Sequence, residues 1–346
     1  MGLYQTIFFV FLFVAAPQVP GFSPLNKFLS ESAETGALEH LRFVREFSSA
    51  HDVKGVWNPV LDRSVDILAG PKDPESVPDI LQAPYSVTTD SAHRIFVTDV
   101  RAGAVHVFDF IHSKYSILRG GDHLRAPVGV AADREDNVFV SDSVLRTILV
   151  YGSGGKFSHY LRSSRGRESY FDAPEGIAVD PLTGHIYVCD TPRHMVIMLD
   201  KKGHILGRFG TRGGGRGPGE FKDPTQVVAA GDEIIVLDSG NFRIQILDLR
   251  GHFRREIRLG YVGNHAGLAM DADKNIYVTV PQLECLRVFD HDGQLLYEFG
   301  QMGTEVGQFR GISGAWVDAG HCLYVVDSQN KRVQLFQING ADKSGC

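Results

Sequence analysis

Apolar positions fall in short runs separated by clusters of Gly, Asp, Asn and Pro, and the runs recur in a fixed order. Six segments begin alike: "APYSVTTD" at Ala83, "APVGVAAD" at Ala126, "APEGIAVD" at Ala173, "DPTQVVAA" at Asp223, "NHAGLAMD" at Asn264 and "GISGAWVD" at Gly311. A second run follows each: "RIFVTD", "NVFVSD", "HIYVCD", "EIIVLD", "NIYVTV" and "CLYVVD". Five of these end on aspartate, at Asp99, Asp142, Asp190, Asp238 and Asp327, and the fifth copy has Val280 instead. A third run comes next, as in "RIQILD", and a fourth closes most units, as in "HILGRFG". Runs rich in Val, Ile, Phe and Tyr and bounded by turn residues predict strands. Four strands in a period of roughly 42 to 48 residues predict a propeller blade, whereas stacked helix pairs would need apolar spacing of 3.6. The predicted fold is all-β, a six-bladed β-propeller.

The sixth unit stops after its third strand, at "RVQLFQING". The missing strand is found near the other end, where "LRFVREFSS" at Leu41 parallels "QLLYEFGQM" at Gln294. An N-terminal outer strand completing the last blade would leave the ring no open edge. The competing reading is an amphipathic helix, because Leu38, Leu41, Val44 and Phe47 also fit helical spacing. Between Phe47 and Ala83 lies an insertion, about residues 48–82. In it "GVWNPVLDRSVDILAG" suits one short helix, and "GPKDPESVPD" reads as loop. The apolar run Ile7–Ala16 is of signal-peptide length and too short for a standard spanning helix. Residues 1–22 are therefore expected to be a cleaved export signal, and 23–346 a single propeller. No Lys or Arg precedes the run, so an uncleaved anchor is the alternative. A periplasmic or secreted location follows from the export reading, with no transmembrane span in the mature chain.

The patterns "VLDSGNFRIQILDLRGHFRREI" and "VVDSQNKRVQLF", with the linker "FGTRGGGRGPGEFKDPTQV" and its weaker copy "FGQMGTEVGQFRGISGA", resemble the NHL repeat. The resemblance runs from Ala83 to Phe336, and the N-terminal layout is similar to that of exported bacterial NHL proteins. Blades one ("VRAGAVHVF") and five ("VPQLECLRVF") depart from the pattern and should be the most irregular. Some six-bladed relatives are calcium-dependent lactonases, and one is a zinc-dependent amidating lyase with NHL-like repeats. Some animal NHL domains bind RNA on a basic face.

The stretch Phe209–Pro224 holds six glycines and two arginines. It lacks the G-K-[ST] end of a phosphate loop and opens no helix, so it reads as an inter-blade linker. The 41 acidic and 35 basic residues give a net charge of −6, with no overall basic field for nucleic acid. The four cysteines (Cys189, Cys285, Cys322 and Cys346) form no C-x-x-C, which leaves zinc ribbons and thioredoxin-like redox unsupported; a bridge among them is possible.

In antiparallel blades, the turn between strands two and three shares a face with the linkers. That face gathers Arg193, His194, Arg212, Arg216 and Arg310, which with Glu175 and His265 are the candidate binding residues. Arg243 and Arg332 are expected to pair with Asp238 and Asp327. One aspartate per blade more simply caps turn N–H groups than performs chemistry. In the related metal enzymes the site lines the channel at the start of each first strand. The equivalent positions here are Tyr85, Val128, Glu175, Thr225, Ala266 and Ser313, with His265 adjacent. One carboxylate and one histidine fall short of a zinc or calcium set. No nucleophile motif occurs either. The expectation is a non-catalytic, monomeric scaffold without a cofactor, binding another protein at or near the cell envelope. A metal-dependent lyase or hydrolase is the alternative, and a polyanion binder (RNA or glycan) the third reading.

Overall fold

A computed structural model describes residues 40–54, 78–118, 124–161, 169–260, 263 and 265–338. The segment 1–22 read as an export signal, and the short helix read in the insertion, lie outside the described residues. Six four-stranded antiparallel sheets form the blades. Blade 3 is representative, with strands Pro174–Val179, Ile186–Asp190, Met195–Leu199 and Ile205–Gly210 in order from the channel to the rim. The second strand of each blade is buried along its whole length, because both sheet faces are covered by neighbouring blades. This is why the second strands read as unbroken apolar runs. The outer strand of blade 3 alternates between half-buried and exposed positions instead, as expected with one face in water.

The core consists of clusters at the seams between blades. Tyr187, Val196 and Phe209 of blade 3 pack on Val227, Val236 and Leu247 of blade 4. Phe47 and Val333 pack on Val97 and Phe108 across the last seam, from blade 6 to blade 1. Each blade thus buries its apolar face only against its neighbours, and ring closure completes the core.

That closure is made by β1 (Leu41–Phe47), a strand and not the helix its spacing also allowed. It pairs antiparallel with Arg332–Ile338, from Leu41↔Ile338 to Phe47↔Val333, and so becomes the outer strand of blade 6. The substitution extends to side chains. Arg243 Nη1 reaches Glu256 of its own outer strand at 2.6 Å, and Arg332 Nη1 reaches Glu46 of β1 at 2.6 Å. After β1, a short helix α1 (Ala50–Lys54) is capped by Asp52, which accepts from Ser48 N and Ser49 N at 2.7 Å each. Blade 5 is the irregular one at its channel strand, Leu268–Met270, which has three residues where other blades have six or seven.

The channel strands approach closely. A Cβ on Gly176 would lie 2.6 Å from Gln226 Cα of the next blade, so only glycine fits there. Three buried hydroxyls stitch adjacent channel strands: Thr98 donates to Val128 O (3.0 Å), Ser141 to Glu175 O (2.5 Å) and Thr279 to Ser313 O (2.7 Å). Each immediately precedes the repeated Asp position.

Candidate functional site

The linkers and the turns between strands two and three share one face of the ring, and hydrogen bonds join them. The 3→4 linker is held by three side chains of blade 4. Asn241 donates to Gly215 O (2.7 Å), Arg243 Nη2 to Gly217 O and Glu220 O (3.0 and 2.9 Å), and Gln245 Nε2 to Glu220 O (2.5 Å). Blade 6 repeats this on the 5→6 linker: Asn330 to Gly303 O (2.9 Å), Arg332 to Glu305 O and Gln308 O (2.9 and 3.1 Å), and Gln334 to Gln308 O (2.8 Å). The Asn-x-Arg-x-Gln step is therefore a clamp on the preceding linker. Phe221 and Phe309 are fully buried beneath the two loops. Gly210 needs its glycine: its φ is +96°, and a Cβ would meet His194 O at 2.5 Å.

The repeated aspartates sit under this face, fully buried. Asp99 accepts from the N–H groups of Gln82 (2.5 Å) and Ala83 (3.1 Å), and Asp142 from those of Arg125 and Ala126 (2.7 and 3.1 Å). Asp190 takes Asp172 N and Ala173 N (3.0 Å each), and desolvation raises its pKa. Asp238 accepts from Lys222 N (2.6 Å) and Arg243 Nε (2.8 Å), Asp327 from Arg310 N (2.7 Å) and Arg332 Nε (2.8 Å). Each thereby joins its second strand to the entry of the first. Blade 5 has no such Asp, and Glu284 instead holds Gly311 N and Ile312 N of blade 6 (2.8 and 2.9 Å).

The candidate binding residues separate into three groups. Arg193 and His194 are engaged within the fold. Arg193 pairs with Asp172 (2.9 Å), contacts Tyr170 O and lies 3.4 Å from Asp190. Its guanidinium holds the Asp172 carboxyl below the usual range. His194 Nδ1 accepts from Asp223 N at 3.1 Å, tying blade 3 to blade 4. Arg212, Arg216 and Arg310 form the second group. They are exposed and have no acidic partner among the described residues, and neither have Arg101, Arg125, Lys222 and Lys331 on the same face. Of the nearby acids, Glu220 accepts from Gly217 N (2.8 Å), Asp172 binds Arg146 and Arg193, and Asp223 lies 3.2 Å from His194 Nδ1, while Glu305 on the 5→6 linker is exposed.

Glu175 and His265 form the third group, at the channel mouth with Tyr85. Tyr85 Oη lies 3.2 Å from His265 Nδ1, with the rings edge to face. Burial pushes the Glu175 carboxyl up to about 7, and the charge of Asp223 adds to this. Burial lowers the pKa of His265 and, with the charge of Glu175, raises that of Tyr85. Burial thus favours the uncharged form of the carboxyl, the imidazole and the phenol at the mouth. Among the described residues no three His, Cys, Asp or Glu side chains converge to hold a metal ion. Two donors do not fit a zinc centre, which takes about three protein ligands. Cys189 and Cys285 are free and buried, while Cys322 is disulfide-bonded. No helix among the described residues is long and apolar enough to cross a membrane.

The stitching hydroxyls and the Glu284 clamp went unrecognised in the sequence. The signal for the former was present: Thr98, Ser141 and Thr279 recur one place before the Asp position, in "VTD", "VSD" and "VTV".

No family model matches the chain. Over 136 residues it is 29% identical to Protein brain tumor of Drosophila melanogaster, covering 38% of this chain and 13% of that protein. Over 170 residues it is 28% identical to peptidyl-glycine alpha-amidating monooxygenase A of Xenopus laevis, covering 46% of this chain and 18% of the relative. The chain thus spans under a fifth of the length of either relative. The solved structure of a streptogramin B lyase matches with a TM-score of 0.55 at 12% identity, over 75% of this chain and 94% of that one, a likeness of fold alone. Sheet order, the clamped linkers and these similarities converge: the chain is a six-bladed, NHL-like β-propeller.

Proposed function

We propose that this protein is a non-catalytic scaffold that works outside the cytoplasm and docks a protein partner on its linker face. The observation that carries the reading is the set of exposed cations there, Arg212, Arg216 and Arg310 foremost, which have no acidic partner among the described residues. Arginines with a structural task in this fold are visibly engaged, as Arg193, Arg243 and Arg332 are. Arg212 and Arg216 stand on a loop already fixed by Asn241, Arg243 and Gln245, so their display costs little ordering on binding. The export part rests on the apolar run Ile7–Ala16 and the small and proline residues after it.

A photo-cross-linking residue placed at Arg212 or Arg310, in protein within the native envelope fraction, should give a discrete adduct with another protein. The same residue at Leu206, on the outer strand of blade 3, should not. Absence of adducts from the linker face overturns the docking reading. N-terminal sequencing should find the chain beginning near residue 23.

A second reading, a lyase or hydrolase, draws on the channel mouth, where Tyr85 and His265 meet and the charge of Glu175 is felt at Tyr85. The donor set does not fit a metal centre, so that reading requires acid–base chemistry by these side chains alone. Stoichiometric zinc or calcium surviving dialysis would count against the scaffold reading.

A further inference from the structure

The 3→4 and 5→6 linkers share one hydrogen-bond scheme in their second halves and differ in their exteriors. In both, a glycine N–H bonds to the carbonyl of the buried phenylalanine six residues on: Gly215 to Phe221 and Gly303 to Phe309, each at 3.0 Å. In both, a second glycine N–H is received by the clamping glutamine: Gly219 by Gln245 and Gly307 by Gln334, each at 2.9 Å. From Gly215 and Gly303 onward the two linkers therefore correspond in register, with Arg216 matched to Thr304, Pro218 to Val306 and Lys222 to Arg310, while the 3→4 linker is longer by two residues before that point. Counting from the phenylalanines at the start, Arg212 is matched to Met302.

The fold imposes the inner half of these loops and leaves the outer half free. On the 3→4 linker the outer positions are cationic, Arg212 and Arg216. On the 5→6 linker Met302 (70% exposed) stands in place of Arg212, Thr304 in place of Arg216 and Val306 (51% exposed) in place of Pro218, with Glu305 and Arg310 also exposed. Between them, the turn of blade 5 exposes Leu283 at 52%. Exposed apolar side chains of this size cost solvation, and the buried phenylalanines and clamping glutamines do the packing of these loops. A cationic patch and an apolar patch thus lie on one face, both on backbone held rigid from below.

We infer that the docked partner is a polypeptide segment with an acidic stretch and an adjoining apolar one. The inference rests on the scaffold reading above and names the partner class for the same face. Its carboxylates would meet Arg212, Arg216 and Lys222, and its apolar residues Met302, Val306 and Leu283. Charge complementarity selects the sign of the partner, because this face offers unpaired cations on a chain whose net charge is −6. The apolar patch selects polypeptide over nucleic acid. Single-stranded RNA is held by several aromatic planes interleaved with cations, whereas the large exposed apolar side chains of this patch are Met302, Val306 and Leu283, with one aromatic, Phe242 (41% exposed), in the turn of blade 4.

The test is selection of random peptides, about a dozen residues and ~40 Å long when extended, against the full chain in physiological salt. A pool of random RNA is selected in parallel. Selected peptides should be enriched in Asp and Glu over one stretch and in Leu, Ile or Phe over another. By fluorescence anisotropy, the tightest peptide should bind the R212E/R216E variant at least about tenfold more weakly. It should also lose affinity for the M302S/V306S variant. All four side chains are exposed, so thermal unfolding of both variants should match the parent and separate lost binding from lost folding. Peptides without acidic enrichment, or binding indifferent to both variants, overturn the inference. RNA that binds saturably and is displaced by the R212E/R216E change overturns it in favour of nucleic acid. If cross-links from Arg212 persist while no acidic peptide is selected, the partner class fails and the scaffold reading stands. If neither appears, both fail.

Discussion

Replacing Arg332 by Met tests what holds the ring shut. Arg332 is buried, with Nε 2.8 Å from Asp327 Oδ2 and Nη1 2.6 Å from Glu46 of β1. Its Nη2 donates to Glu305 O and Gln308 O. Met retains the aliphatic bulk and removes every one of these bonds. Asp327, fully buried, keeps Arg310 N (2.7 Å), Asn330 Nδ2 (2.9 Å) and Gln334 Nε2 (3.3 Å). Removing one member of a buried ion pair costs about 3–5 kcal/mol, and the three remaining donors place this case near the lower end, about 3 kcal/mol. That is a large fraction of a typical stability of about 5–15 kcal/mol. Glu46 is 45% exposed, so Glu46→Gln should cost only about 0–1 kcal/mol. Urea unfolding can be followed by the fluorescence of Trp316, whose Nε1 lies 2.9 Å from Thr89 Oγ1 across the seam between blades 6 and 1. The other tryptophan, Trp57, is replaced by Phe in the parent so that Trp316 reports alone. The expected result is a lowered midpoint with unchanged m-value for Arg332→Met and almost no shift for Glu46→Gln. A loss below about 1 kcal/mol for Arg332→Met, or equal losses for the two variants, would refute the reasoning.

Other consequences are open to direct measurement. Thr279→Val keeps the shape but leaves Gly267 N without its 2.6 Å acceptor, and should lower stability by about 1–3 kcal/mol in urea unfolding. Glu175 titrates near 7 in the folded chain, above its unfolded value, so the stability it contributes is full in acid and is lost as pH rises through about 7. Glu175→Gln should therefore be neutral in acid and stabilising above pH 7, by about 1–2 kcal/mol after discounting for solvent screening; a pH-independent difference would sink this assignment. Cys189 is fully buried with its thiol pKa raised, and burial pushes Cys285 up to about 11. Native protein at pH 8 should alkylate slowly at both, and urea should expose both to iodoacetamide.

The fold was legible because a blade is a local object. Its strands are apolar runs, its turns end on an Asp that binds nearby backbone, and four runs per period specify the sheet without reference to distant residues. The linker "FGTRGGGRGPGEFKDP" was legible for the same reason. Its second copy showed that the glycines serve a turn, and the positive φ values at Gly210 and Gly213 agree.

What tertiary structure decided is which of several similar residues is free. Arg193 and Arg212 are indistinguishable in the chain as arginines near a turn, yet Asp172 occupies the first and nothing acidic among the described residues meets the second. The Leu41–Phe47 segment reads as a strand by its likeness to "QLLYEFGQM", although its spacing also allows a helix. The unpaired edge of Arg332–Ile338, nearly three hundred residues away, made it a strand. The raised pKa of Glu175 likewise has no local cause, because it comes from burial at the channel mouth and from Asp223 in the next blade. Periodicity and turn chemistry act over a few residues and can be read in order along the chain. Desolvation, ion pairing and edge pairing depend on which atoms closure brings together, and only the folded ring supplies that.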